Sequence, residues 1–147
     1  MRKLMVMMLA FLSIVSACDK GQPTHEVPEF VEVELTVHPE TGKVNQPIVF
    51  EAKVTQGNES VEDAQEVKFE IWRAQDKNHE KILVEHAGNG IYRLEKTFEE
   101  EGTYYIISHV TARDMHNMPK KEFIIGQPSE PEDQKNAHDS MEDMEEH

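Results

Sequence analysis

The chain has 147 residues, with 15 Lys and Arg against 29 Asp and Glu, a formal charge of −14. That balance excludes a nucleic-acid ligand, whose phosphates demand a basic face, and a polybasic grip on anionic headgroups. The single Cys excludes an internal disulfide and any multi-thiolate zinc site, and the length fits one folded domain between two polar ends.

Arg2 and Lys3 precede an apolar run from Leu4 to Val15. This run is shorter than the roughly 20 residues of a membrane-spanning helix and reads as the h-region of a signal peptide. Val15-Ser16-Ala17-Cys18 then places small residues before the only Cys. This resembles the lipobox of bacterial lipoproteins, which implies cleavage after Ala17, lipidation of Cys18 and anchoring by two acyl chains. Each buried CH₂ contributes about 0.8 kcal/mol to such an anchor. The expected chain is then 18–147, with 13 basic and 29 acidic side chains and a net charge of −16. Residues 18–28 form a polar tether, and the expected location is the extracytoplasmic face of the cell membrane.

From residue 29 to 126 the hydrophobic period is two, the signature of half-buried strands. Val31, Val33, Leu35 and Val37 alternate with Glu32, Glu34 and Thr36, and Pro39-Glu40-Thr41-Gly42 ends the run. Ile48, Phe50, Ala52 and Val54 form a second strand, closed by Gln56-Gly57-Asn58. Val67, Phe69 and Ile71 form a third, on which Trp72 shares the parity of Lys68 and Glu70. Lys81–Glu85 is shorter and leads to the turn Gly88-Asn89-Gly90. Ile91–Phe98, Thr103–Ala112 and Lys121–Ile125 complete the set, with Met115–Pro119 as a loop between the last two. About seven strands with this turn spacing predict an all-β, immunoglobulin-like β-sandwich without a disulfide. Gly102-Thr103-Tyr104 resembles the tyrosine corner of such domains, which would put Ile106 where the second disulfide Cys usually lies. Residues 127–147 hold eight acids and one Lys, too little apolar surface to offset chain entropy, and are expected to be disordered.

Beyond the leader there are four Met residues, each within three positions of a His and none on an expected core strand. Met115-His116-Asn117-Met118 occupies the loop, and His138, Met141, Met144 and His147 recur every third residue in the tail. Thioether sulfur is soft and imidazole borderline, a set that favours copper, as Cu(I) or Cu(II), over harder cations. In an extended loop His116 and Met118 face one side. Spacing of three in the tail lets a helical turn gather its ligands into a second, mobile capture arm. His25, His38 and His79 sit in polar or turn segments and receive no role.

Gly102-Thr103-Tyr104, His109-Val110-Thr111-Ala112, Met115–Pro119, and His86 followed by Gly90-Ile91-Tyr92 resemble the YtkA-like domain family, related to FixH. The resemblance implies an immunoglobulin-like sandwich over roughly 28–126 and an association with copper supply to a respiratory oxidase. It implies a ligand set of His116 and Met118, with Met115 as third and His109 or His86 completing it. A turn near 114–117 would leave His109 about three residues down its strand, roughly 10 Å from the loop base, unless the loop folds back.

No nucleophile elbow, phosphate-binding Gly-rich loop or His-Glu-x-x-His is present, so a binding protein is expected and not an enzyme. The leading expectation is an anchored copper chaperone or buffer for a membrane protein such as an oxidase. The alternative is an immunoglobulin-like interaction module of the cell envelope with no metal.

Overall fold

The computed structural model describes residues 28–131. The leader, Cys18 and the His/Met tail lie outside the described residues.

Eleven strands follow the period-two pattern: β1 (Val31–His38), β2 (Thr41–Gly42), β3 (Ile48–Gln56), β4 (Glu59–Ser60), β5 (Glu66–Arg73), β6 (Glu80–Leu83), β7 (His86–Gly88), β8 (Ile91–Lys96), β9 (Gly102–Ala112), β10 (Met115–Asn117) and β11 (Lys120–Ile125). They form two packed sheets. One runs β1-β3-β8-β7 with β4 beside β3, and the other runs β2-β11-β9-β5-β6 with β10 beside β9. Pairing is antiparallel except for the short parallel contact of β2 with β11. The architecture is an all-β sandwich, as the alternation requires.

Aromatic rings from both layers meet in the core. Phe50 of β3 meets Phe69 of β5 and Phe123 of β11 edge to face, at ring-centroid distances of 6.5 and 5.1 Å. Phe98 packs on Phe50 and Phe123 at 6.2 and 5.3 Å. The quadrupoles of aromatic rings favour these edge-to-face arrangements. These rings and the aliphatic residues around them form one hydrophobic core between the two sheets of the described stretch.

Turn chemistry sets the registers. Asn89 and Gly90 join β7 to β8 with φ of 54° and 72°, the left-handed pair that a two-residue hairpin demands. A Cβ at Gly90 would lie 2.6 Å from the Val54 carbonyl oxygen. The β9–β10 turn has the same form, with Arg113 and Asp114 at φ 51° and 61°. Neither is glycine, so the left-handed backbone is strained there. The Arg113 guanidinium donates to Gln56 Oε1 at 2.8 Å and to Asp63 Oδ1 at 3.1 Å, pinning the turn to the opposite layer.

The structure differs from the sequence expectation in several segments. Residues 115–117 are not loop: the turn comes two residues earlier, and β10 pairs with β9 as Met115↔Ala112, His116↔Thr111 and Asn117↔Val110. β2, β4 and β7 are added short strands. The chain also stays tied to the sheet beyond Gly126, because the Thr103 amide donates to Ser129 Oγ at 3.0 Å and the Ser129 amide to Thr103 Oγ1 at 3.1 Å. The expected tyrosine contact is present, with Tyr104 Oη donating to the Glu100 carbonyl at 2.8 Å. Ile106 beside it is fully buried.

Tyr104→Phe keeps the ring packing and removes only that bond. It is expected to lower stability by about 1 kcal/mol, about 4–8 °C in Tm for a domain of this size. Thermal melts of the two proteins measure it.

Candidate metal-ligand face

β9 alternates without interruption. Tyr104, Ile106, Ser108, Val110 and Ala112 are buried, and Tyr105, Ile107, His109 and Thr111 point to the outer face of the sheet. β5 lies alongside in the register Lys68↔His109, Glu70↔Ile107 and Trp72↔Tyr105. Glu70 is therefore diagonal to His109. On the other side, β10 places His116 opposite Thr111 and diagonal to His109.

These registers bring His109 and His116 together, with ring centroids 6.1 Å apart. Thr111 Oγ1 lies 3.0 Å from His116 Nδ1. Glu70 Oε2 lies 2.6 Å from His109 Nε2, and Glu70 Oε1 lies 2.6 Å from His79 Nδ1. His79 stacks on Trp72 at 4.3 Å with an 8° interplanar angle. Lys120 Nζ sits over the Trp72 and Tyr105 rings, 5.1 and 4.5 Å from their centroids.

Glu70 is the electrostatic centre of the face. Its side chain is 13% exposed and that of His109 17%. The hydrogen bond from His79 holds the Glu70 pKa below the usual carboxylate value, against the opposing effect of burial, with His109 and the Lys81 charge adding to the lowering. An ionised carboxylate only accepts. The nitrogens facing it, His79 Nδ1 and His109 Nε2, are therefore assigned as the donors of these bonds.

The other residues expected at the site are divided between locations. Met115 points inward from β10, packs against the core, and its Sδ accepts the Val31 amide at 3.4 Å. It thus lies on the face opposite His116. Met118 follows β10 and is 51% exposed. His86 belongs to the other sheet, where Nε2 accepts the Gly90 amide at 3.2 Å and the ring packs on Tyr92 at 5.1 Å. That contact steadies the Asn89-Gly90 turn. His79, given no role from the sequence, joins the cluster because its loop folds over Trp72, and no spacing signal announces this. His138, Met141, Met144 and His147 lie outside the described residues. Among the described residues, no three or more His, Cys, Asp or Glu side chains are grouped so as to hold a metal ion.

An all-β sandwich with a histidine- and carboxylate-bearing outer face is the class that these observations define. Residues 25–109, more than half of the chain, match the YtkA-like family, and the chain belongs to that family. The match ends at His109, so β10, β11, His116 and Met118 lie beyond it. No curated protein matches the sequence. Among solved structures, the DNA glycosylase AlkC of Pseudomonas fluorescens is similar at 14% identity and a TM-score of 0.47, over 66% of this chain and 30% of that one. This chain thus spans less than a third of that protein. A superoxide reductase (neelaredoxin) from Ignicoccus hospitalis is similar at 14% identity and a TM-score of 0.45, over 72% of this chain and 88% of that one. The PKD domain of a peptidase from a Thermoplasmatales archaeon gives 15% identity and 0.40, over 68% and 96%. At these levels the likenesses carry no argument about function.

Because its pKa is lowered in the folded state, Glu70 contributes stability that is fully present above its ordinary value of 4.5. That contribution is lost as pH falls through the lowered folded value. The stability margin of the wild type over Glu70→Gln should therefore shrink as the pH falls below 4.5. Urea unfolding of both proteins across that range gives the margin, and a margin that grows on acidification would contradict the assignment.

Proposed function

We propose that this YtkA-like protein binds copper at the outer face of the sheet built on β9, while anchored through Cys18 at the extracytoplasmic side of the membrane. His109 and His116 supply the imidazoles and Met118 the thioether. The cargo is buffered there or passed to a membrane protein such as an oxidase, and no enzymatic step is involved.

The observation that supports this reading is the spacing of His109 and His116. An imidazole nitrogen about 2.0 Å from a metal puts its ring centroid roughly 3.2 Å from the ion. Two rings on one ion are then up to about 6.4 Å apart, and the observed 6.1 Å is compatible with a wide angle at the ion. Low coordination with imidazole and thioether suits soft Cu(I). Among the described residues, one nitrogen of each ring is engaged, by Glu70 or by Thr111, so the other nitrogen of each is the one a metal would take. Metal-bound histidines commonly have such backing. Met115 and His86 drop out of the proposed set, since their sulfur and ring nitrogen serve the fold. The tail residues His138, Met141, Met144 and His147 remain a proposed capture arm, raising the local metal concentration by tethering.

The test is a Cu(I) competition titration against a chromophoric chelator, run on segments 19–147 and 19–131, both of which keep every strand. One-to-one binding is expected in both lengths. It should weaken by at least about 10-fold in His116→Ala/Met118→Ala and stay within about two-fold in His86→Ala. No binding in either length would leave the metal-free interaction module as the reading. Binding confined to the longer segment would move the site to the tail.

The anchor is tested separately. Cys18→Ser should move the protein from the membrane fraction to the soluble fraction, and its retention in membranes would overturn the lipid anchor.

A further inference from the structure

Glu70 serves two histidines at once, and only one of them stands beside a second imidazole. We propose that Glu70 is a positioning residue that holds His109 in the Nε2–H tautomer and so presents Nδ1 as the ligand atom. The tautomer part of this inference stands alone, and the ligand part rests on the copper reading above.

A neutral imidazole carries a single N–H, and free in water it exchanges between the two nitrogens. At His109 the exchange is biased. Glu70 Oε2 is 2.6 Å from Nε2, and the carboxylate has Lys81 Nζ 3.8 Å away to favour its ionised form. Both side chains are mostly shielded from water, so little solvent competes for the bond. The proton therefore stays on Nε2 and the lone pair on Nδ1. A carboxylate behind the ring also raises the basicity of the ligating nitrogen.

His79 acts on the carboxylate rather than on His109. Flat stacking on Trp72 fixes its ring, and its Nδ1–H binds the other oxygen of Glu70. The carboxylate is thus gripped on both oxygens, which removes its rotational freedom and aims Oε2 at His109. Among the described residues, His116 is backed by the Thr111 hydroxyl. A hydroxyl can donate or accept, so the tautomer of His116 is not set in this way. The two imidazoles of the face therefore differ: one is preset and the other adjustable.

The experiment uses ¹⁵N-labelled segment 19–147 near pH 8, above the ordinary histidine pKa of about 6.5. Two-bond ¹H–¹⁵N correlations read the tautomer of each His with no metal present, and Cu(I) competition is run on the same samples. In the wild type, His109 should be predominantly Nε2–H. In Glu70→Gln it should become mixed, and Cu(I) affinity should fall about 10–100-fold. Glu70 faces outward, so the core is untouched. Should Glu70→Gln unfold, Glu70→Asp replaces it, with the charge on a shorter arm and an intermediate effect expected. His79→Gln should keep the His109 tautomer and stay within about three-fold of wild-type affinity.

A wild-type His109 in the Nδ1–H form, or a Glu70→Gln variant unchanged in both readouts, would overturn the inference. Equal damage from His79→Gln would also overturn it, by making the effect one of the network and not of Glu70. Should the wild type bind no Cu(I), the copper reading fails. The tautomer spectra then decide alone: Nε2–H lost in Glu70→Gln upholds the positioning role, and no change refutes it.

Discussion

The alternation of β9 is the constraint on which the rest of the molecule depends. From Tyr104 to Ala112 the strand, without a bulge, sends one set of side chains into the core and the next set to the outer face. A slip of one residue would exchange the two sets. It would drive His109 among the phenylalanines and expel Ile106 and Val110 into water. The register that closes the core is thus the same register that puts His109 beside Glu70 on one side and His116 on the other. Folding and site geometry are not separable here, because the apolar burial that holds β5 against β9 also holds the outward pair.

The far end of β9 carries a local cost that the rest of the structure offsets. Arg113 and Asp114 occupy left-handed backbone, which Asp tolerates and Arg does not readily adopt. Such residues cost on the order of 1–3 kcal/mol each and persist where their surroundings overdetermine them. Here the Arg113 guanidinium reaches Gln56 and Asp63, while Met115 Sδ and Asn117 Nδ2 both bind the backbone of Val31. The short β10 is therefore fastened at three points to the opposite layer. The tight turn is what folds His116 back over the sheet, so the strain lies where the proposed site is assembled.

This turn also explains the boundary of what the sequence discloses. Strands such as β1, β3 and β5 are legible because their apolar period is strict, and Asn89-Gly90 is legible because its residues are the ones the backbone demands. Arg113-Asp114 gives no such signal, so the hairpin reads as a loop and His109 reads as distant from it. His79 is hidden for another reason. Its place depends on a loop draping over Trp72, a tertiary event with no period to detect. His86 and Met115 show the converse. Both have the side-chain chemistry of ligands, yet one steadies a turn and the other plugs the seam between β10 and β1.

On the copper reading, the three proposed ligands form a gradient of accessibility. His109 is largely shielded and braced by a carboxylate, His116 is exposed and backed by a hydroxyl, and Met118 is half exposed beyond the end of its strand. A carrier benefits from this inequality. Donors at the rim can be exchanged one at a time for those of an incoming protein while the braced imidazole keeps hold of the ion. Three equally buried ligands would retain the metal, and three equally exposed ones would lose it to water and competing solutes. The acidic charge of the chain acts in the same direction, favouring the approach of a cation without supplying soft donors of its own. On the same reading, the carboxylate behind His109 would set this order of release.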